Sequence, residues 1–246
     1  MPSGLLKEIW SRYALGGAMA RIGLAALIAG IVISAGCKTT TVIDEYRQDT
    51  SDAMTVGESV VVLGRRHEMD KETEEDFVAC VGNELAKNGG GIQVIPEQQF
   101  LDAMYPWFES STAPLDVKNL DKLMRIEKVA QRFEEFQIRY FIWLDGFTER
   151  TDSSGSVSCS IGPGGGGCFG FATWDDESHY EASIWDLDGA KVTGKISAEG
   201  QGTSYMPAIF VPIPLIANVK GAACDSMAAQ LKSFIGTDGL AGGDGG

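Results

Sequence analysis

The sequence predicts an α+β fold of the layered α/β kind: a mixed β-sheet covered by helices, with a disulfide-stapled, glycine-rich β-hairpin. Three observations predict it. Two short runs of β-branched and aromatic residues, Ser59–Arg65 (SVVVLGR) and Arg139–Thr148 (RYFIWLDGFT), have the length and composition of buried strands. Between and beyond them lie stretches with apolar residues three and four apart, which is one face of a helix. After residue 150 the pattern turns to short apolar segments separated by glycine or by Asp-Gly, the mark of hairpins. With 246 residues, 44% hydrophobic and 22% charged, the chain is ordinary for a globular protein and sufficient for one good-sized domain.

The elements follow in order. Residues 37–57 are mostly polar and predict a tether in front of a domain spanning 58–235. Ser59–Arg65 is the first strand. Glu72–Asn88 places acids in its first turns, then Phe77, Val81 and Leu85 on one face, and three glycines stop it. Ile92–Ile95 is a short strand, and Pro96 opens a helix to about Phe108. Lys118–Phe136 forms one amphipathic helix through Leu123, Ile126, Ala130 and Phe133, and Arg139–Thr148 is a strand. Val157–Ser160 and Phe169–Trp174 flank the glycine loop of one hairpin. Tyr180–Leu187 and Lys191–Ala198 flank Asp188-Gly189, a pair suited to a tight turn because glycine accepts positive φ. Tyr205–Val219 holds three prolines and predicts a packed loop rather than a strand. Ala222–Ile235 is the last helix, and 236–246 is a glycine-rich disordered tail.

The amino terminus carries the strongest functional signal. Residues 1–21 are mildly basic, Ile22–Ile33 is wholly apolar, and Ser34-Ala35-Gly36 leads into Cys37. Basic flank, short apolar core and small-residue junction are the parts of a signal peptide, here 1–36. The run from Ile22 to Cys37 is sixteen residues, short of the roughly 20 that span a bilayer. SAGC resembles the lipobox of bacterial lipoproteins at Ala35, Gly36 and Cys37 and departs from it at Ser34. The resemblance implies diacylglycerol on the sulfur of Cys37 and a lipid-anchored envelope protein, and Lys38 resembles the sorting signal for an outer membrane facing the periplasm. The other reading is an uncleaved anchor with Cys37 unmodified, and Met19 is an alternative start. Lys7, Arg12 and Arg21 keep this end cytoplasmic under either reading, so the rest is exported.

Export suits the remaining cysteines. Cys80, Cys159, Cys168 and Cys224 are even in number, as in an oxidising compartment. Three pairings are open. Cys159 with Cys168, which bracket SIGPGGGG, and Cys80 with Cys224 are the favoured set, with two buried thiols the alternative for the second pair.

Charge and motifs narrow the function. The formal charge of −14 argues against nucleic acid and anionic headgroups as direct ligands. GxSxG and phosphate-loop patterns are absent, and His67-Glu68 lacks the second histidine of HExxH. Gly162, Gly164 and Gly167 match GxGxxG, but a β pattern follows where a nucleotide site needs a helix. Asp186-Leu187-Asp188-Gly189 is a hairpin turn rather than a calcium loop, and no cofactor or metal is expected. Asp175-Asp176-Glu177 with His179 is the densest polar cluster, either an acidic strand edge or the centre of a hydrolase. Phe169, Phe171 and Trp174, with Phe210 and Pro212 of FVPIPLIA, are the candidate partner surface.

The strand SVVVLGR entering a helix, the strand YFIWLDG, the hairpin SIWDLDGAKVTG and the closing helix CDSMAAQLKSFI together resemble the periplasmic group around CsgG and the amino-terminal domain of TolB. The resemblance covers about 59–235 and implies envelope assembly or scaffolding without catalysis, with no catalytic residue carried over. The expectation is thus a lipid-anchored, non-catalytic module that binds an envelope protein or cell-wall component. A hydrolase using the Asp175–His179 region, or a purely structural lipoprotein, are the alternatives.

Overall fold

The computed structural model describes residues 39–48, 53–66, 72–87, 92–109 and 111–236. The expected signal peptide, Cys37, His67-Glu68 and the tail from 237 lie outside the described residues. Six strands form one mixed sheet in the order β1-β6-β5-β4-β2-β3. They are β1 (Thr39–Arg47), β2 (Ser59–Gly64), β3 (Gln93–Ile95), β4 (Ile138–Gly162), β5 (Gly165–Asp186) and β6 (Lys191–Pro212). Among the described residues five helices accompany them: α1 (Glu75–Ala86), α2 (Glu97–Ala103), α3 (Val117–Met124), α4 (Glu127–Phe136) and α5 (Val219–Phe234). This is the predicted α+β class.

β2 is parallel to β3 and β4, while β4, β5, β6 and β1 run antiparallel in sequence across the sheet. A parallel strand must be covered on both faces, which explains why Val60 to Leu63 are all buried and apolar. One face, with Val60, Val62, Tyr140, Ile142 and Ile184, packs under α1 and α5. The other, with Val61, Leu63, Phe141 and Trp143, packs under α2, α3 and α4 around Phe100 and Phe133. The second layer stops at β4, the end of β5 at Trp185 and the start of β6 at Val192. Farther out, Lys195 and Glu199 of β6 and Val42, Asp44 and Tyr46 of β1 are exposed. Alternation of exposed and half-buried residues along β1 is that of a strand covered on one side only.

Two disulfides are present. Cys80–Cys224 ties α1 to α5 across 144 residues, and Cys159–Cys168 joins directly opposed residues of β4 and β5. In the chain-entropy view the first closure restricts the unfolded chain by about 5 kcal/mol. Arg139, buried at the start of β4, pairs with Asp186 at 3.1 Å and with Asp188. It thereby fixes the β5–β6 turn at Asp188-Gly189 to the parallel strands, and a cation already occupies the two carboxylates that a calcium loop would need.

Five expectations are corrected. Thr39–Arg47, expected in a tether, is an edge strand whose nine residues pair with Gly202 to Gly194 of β6. The hairpin strands around the glycine loop are far longer than Val157–Ser160 and Phe169–Trp174, because β4 and β5 stay paired through every serine and glycine to Gly162↔Gly165. Tyr205–Pro212 is not loop but the end of β6. Tyr205 and Pro207 share a parity that turns their backbone polar groups to the outer edge, where Leu215 and Ile213 bond them, so Pro207 removes no hydrogen bond to β5. The single helix expected at Lys118–Phe136 is α3 and α4, broken at extended, partly exposed Ile126; the buried stripe is Leu120, Val129 and Phe133. The helix expected from Pro96 to Phe108 likewise ends at Ala103.

Candidate functional site

The ladders between β4, β5 and β6 outrun the helices. β2 accompanies β4 only to Leu144, and β1 accompanies β6 only to Gly202. Beyond those points the sheet narrows to an arm made of residues 150–162, 165–175 and 202–212. Glycines stand where neighbouring strands approach closely. A Cβ on Gly146 would lie 2.0 Å from the His179 carbonyl oxygen, and one on Gly170 2.2 Å from that of Ser156; both have positive φ.

The base of the arm is charged. Arg150 pairs with Asp176 at 3.3 Å and lies 4.9 Å over the ring of Trp174. Asp175 accepts a hydrogen bond from the Thr203 hydroxyl at 2.6 Å. Past this collar, residues 153–174 and 200–219 contain no Asp, Glu, Lys, Arg or His.

The arm's end is apolar. Phe169 and Phe171 are two apart on β5, so they share a face, and they are 57% and 52% exposed. Ile209, opposite Phe169, is 74% exposed. Phe169 meets Phe210 edge-on at 5.4 Å, and Phe171 lies 6.2 Å from Tyr205. Phe210 holds φ at +73°, a conformation costing an L-residue about 1–2 kcal/mol, and this brings its ring to the side of Phe169. Pro212 ends the strand half-buried, and the return segment carries exposed Ile213, Leu215 and Ile216. Of the sequence candidates, Phe169, Phe171 and Phe210 come together here. Trp174 sits at the collar beneath Arg150, half-buried. Tyr205 and Ile209 escaped the sequence reading because they were assigned to a loop, where alternation has no meaning.

The acidic cluster is spread along β5. Asp175 and Asp176 belong to the collar, while His179 is exposed and has a carboxylate of Glu177 at 3.9 Å. Around His179, Asp145, Glu181, Ser197 and Glu199 line a shallow, open depression on the uncovered sheet face. Among the described residues, the grouping of potential metal ligands Cys80, Cys224 and Asp225 has both sulfurs in a disulfide, which leaves it one carboxylate.

Two features of the body were invisible in sequence. Glu74, just before α1, accepts hydrogen bonds from the Thr148 amide and the Tyr180 hydroxyl and pairs with Lys220 at 3.5 Å. Burial first, then the Glu74 bond, push the Tyr180 phenol well above its ordinary range, so it serves as a fixed donor. The second is a cleft of ≈ 330 Å³ at the carboxyl ends of β2 and β3, where the chain leaves one strand for α1 and the next for α2 on opposite faces. Such switch points commonly hold ligands. Its floor is Val62, Val78 and Val94, and Arg66, Glu75 and Glu97 rim it. Glu97 accepts the Gly64 amide at 2.9 Å, and burial raises its pKa.

No protein family matches the chain, and no curated protein matches it. Among solved structures, two crystal forms of the PelC dodecamer from Paraburkholderia phytofirmans, one of a point variant, are 13% identical, with TM-scores of 0.35 and 0.34. They cover 80% of this chain and 98% and 97% of theirs. Likenesses of that size carry no weight for function. No described helix is long and apolar enough to cross a membrane.

Proposed function

We propose that this chain is a lipid-anchored, non-catalytic protein of the bacterial cell envelope, exported and held through Cys37, whose β-arm is an interaction module. The arm is the observation that carries the reading. A contiguous exposed apolar surface on a chain with net charge −14 is costly unless something covers it. The signal-like segment before Cys37 supports export, and so do two disulfides, which persist in oxidising compartments. The outer membrane, facing the periplasm, is the proposed address, on the strength of Lys38. His179 has no enclosed site around it, which favours binding over hydrolysis.

The test compares the native chain with Cys37→Ser in a bacterial host, following labelled fatty acid and membrane fractionation. Label and membrane retention are both expected to vanish in the variant. An unlabelled native chain that stays in the membrane would instead make residues before Cys37 the anchor.

A further inference from the structure

We infer that the end of the β-arm docks into the interfacial region of a lipid bilayer, on the same side as the lipid on Cys37. The inference rests on the lipid-anchor reading for the position of the acyl chains, and on the arm alone for the contact.

Strand register supplies the first argument. Thr39 of β1 pairs with Gly202 of β6, and Gly202 pairs with Asp176 of β5. Asp176 in turn pairs with Arg150 of β4, so Thr39 stands level with the charged collar. Because β1 and β6 are antiparallel, Thr39, at the amino-terminal end of β1, is the β1 residue nearest the end of the arm. Cys37 precedes Thr39 by two residues, so covalent geometry keeps its α-carbon within about 8 Å of it. The acyl chains therefore begin where the charges stop, and the lipid has no long tether.

Charge is absent beyond that level. From Gly202 to Pro212 the arm is about 30 Å long at the rise of an antiparallel strand, and its residues 153–162, 165–174 and 202–212 include no Asp, Glu, Lys, Arg or His. Phe169, Phe171, Ile209 and Phe210 project from it, and Ile161, whose parity puts it on the disulfide side, is 93% exposed. Apolar groups on both sides of the tip suit immersion better than a docking protein, which would cover one side. Trp174 and Tyr205 lie at the boundary, the level that such rings occupy at a membrane surface.

The same ladder sets the depth. From Arg150 to Gly162 β5 is the only strand that β4 pairs with among the described residues. Open strand edges are not tolerated in hydrocarbon, so the arm lies in the headgroup and upper acyl region without crossing the core. The acidic body is then held off the surface, and neutral lipid is the fitting partner, since anionic headgroups would repel it.

The full chain, recovered from membranes, is reconstituted with neutral phosphatidylcholine whose acyl chains either carry bromine or do not. The added tryptophan emission of Phe210→Trp, and separately of Ile209→Trp, is compared with that of Tyr105→Trp, an exposed residue of the body. Bromine is expected to quench the arm tryptophans at least about twofold more than Trp introduced at 105, since an interfacial segment sits within reach of the acyl chains. Equal quenching at the three positions overturns the inference. Blue-shifted but unquenched emission also overturns it, and assigns the arm to a protein partner or a second copy. The mass of the recovered chain separates this from the anchor reading. Arm quenching with Cys37 unacylated sinks the anchor and leaves the docking, whereas acylated Cys37 without quenching does the reverse.

Discussion

One strand serves two regions with opposite surface rules. In β5, Tyr180, Ala182, Ile184 and Trp185 are buried within the body, stacked or packed under helices; the Tyr180 ring lies 3.5 Å from that of Phe77. Farther back along the same strand, Phe169 and Phe171 are equally apolar and more than half exposed. The backbone ladder is continuous between them, so hydrogen bonding does not distinguish the two. Coverage does: α1 and α5 lie over Tyr180, Ala182 and Ile184, the layer of α2, α3 and α4 lies over Trp185, and no described helix lies over Phe169 and Phe171. Apolar side chains thus stabilise the body by leaving water on folding. On the arm they keep that free energy available for a contact outside the chain.

The comparison can be broken most forcefully in the body. Arg139→Met leaves Asp186 buried without its cation and should cost about 3–5 kcal/mol, read as a shift of the denaturation midpoint at unchanged slope. A loss within the range of ordinary surface changes would mean that the β5–β6 turn is not part of the folding unit.

The disulfides sharpen it further. Removing Cys80–Cys224 as a pair of serines should lower global stability by about 2–5 kcal/mol. Replacing Cys159 and Cys168 in the same way should change the global midpoint by less than about 1 kcal/mol, because the arm can open locally while the body stays folded. Equal losses from the two pairs would show that arm and body unfold together.

The body was largely legible because its signals are local. SVVVLGR and YFIWLDG are dense apolar runs, and the stripe Cys224, Met227, Ala228, Leu231 is a helix face; each is buried as its pattern implies. The arm was legible only at its aromatics. Its length was hidden because SSGSVSCSIG has neither alternation nor β-branched density, and those residues stay extended through pairing with β5, which no local pattern reports. β1 was missed for the same reason: TTTVIDEYR is half polar because one of its faces is open, and its partner lies more than 140 residues away. Arg139 with Asp186, 47 residues apart, and the cleft beside Glu97 arise from topology alone. The aromatic cluster gained Tyr205 and Ile209 only when Pro207 proved to face the outer edge of β6.

The most direct measurement of the division between a self-sufficient body and an outward-acting arm is amide hydrogen exchange on the full chain in detergent and in neutral vesicles. The account predicts that residues 157–172 and 205–216 gain protection in vesicles, while 60–63 and 140–144 are equally slow in both. Unchanged exchange along the arm, or a gain spread evenly over body and arm, would contradict it.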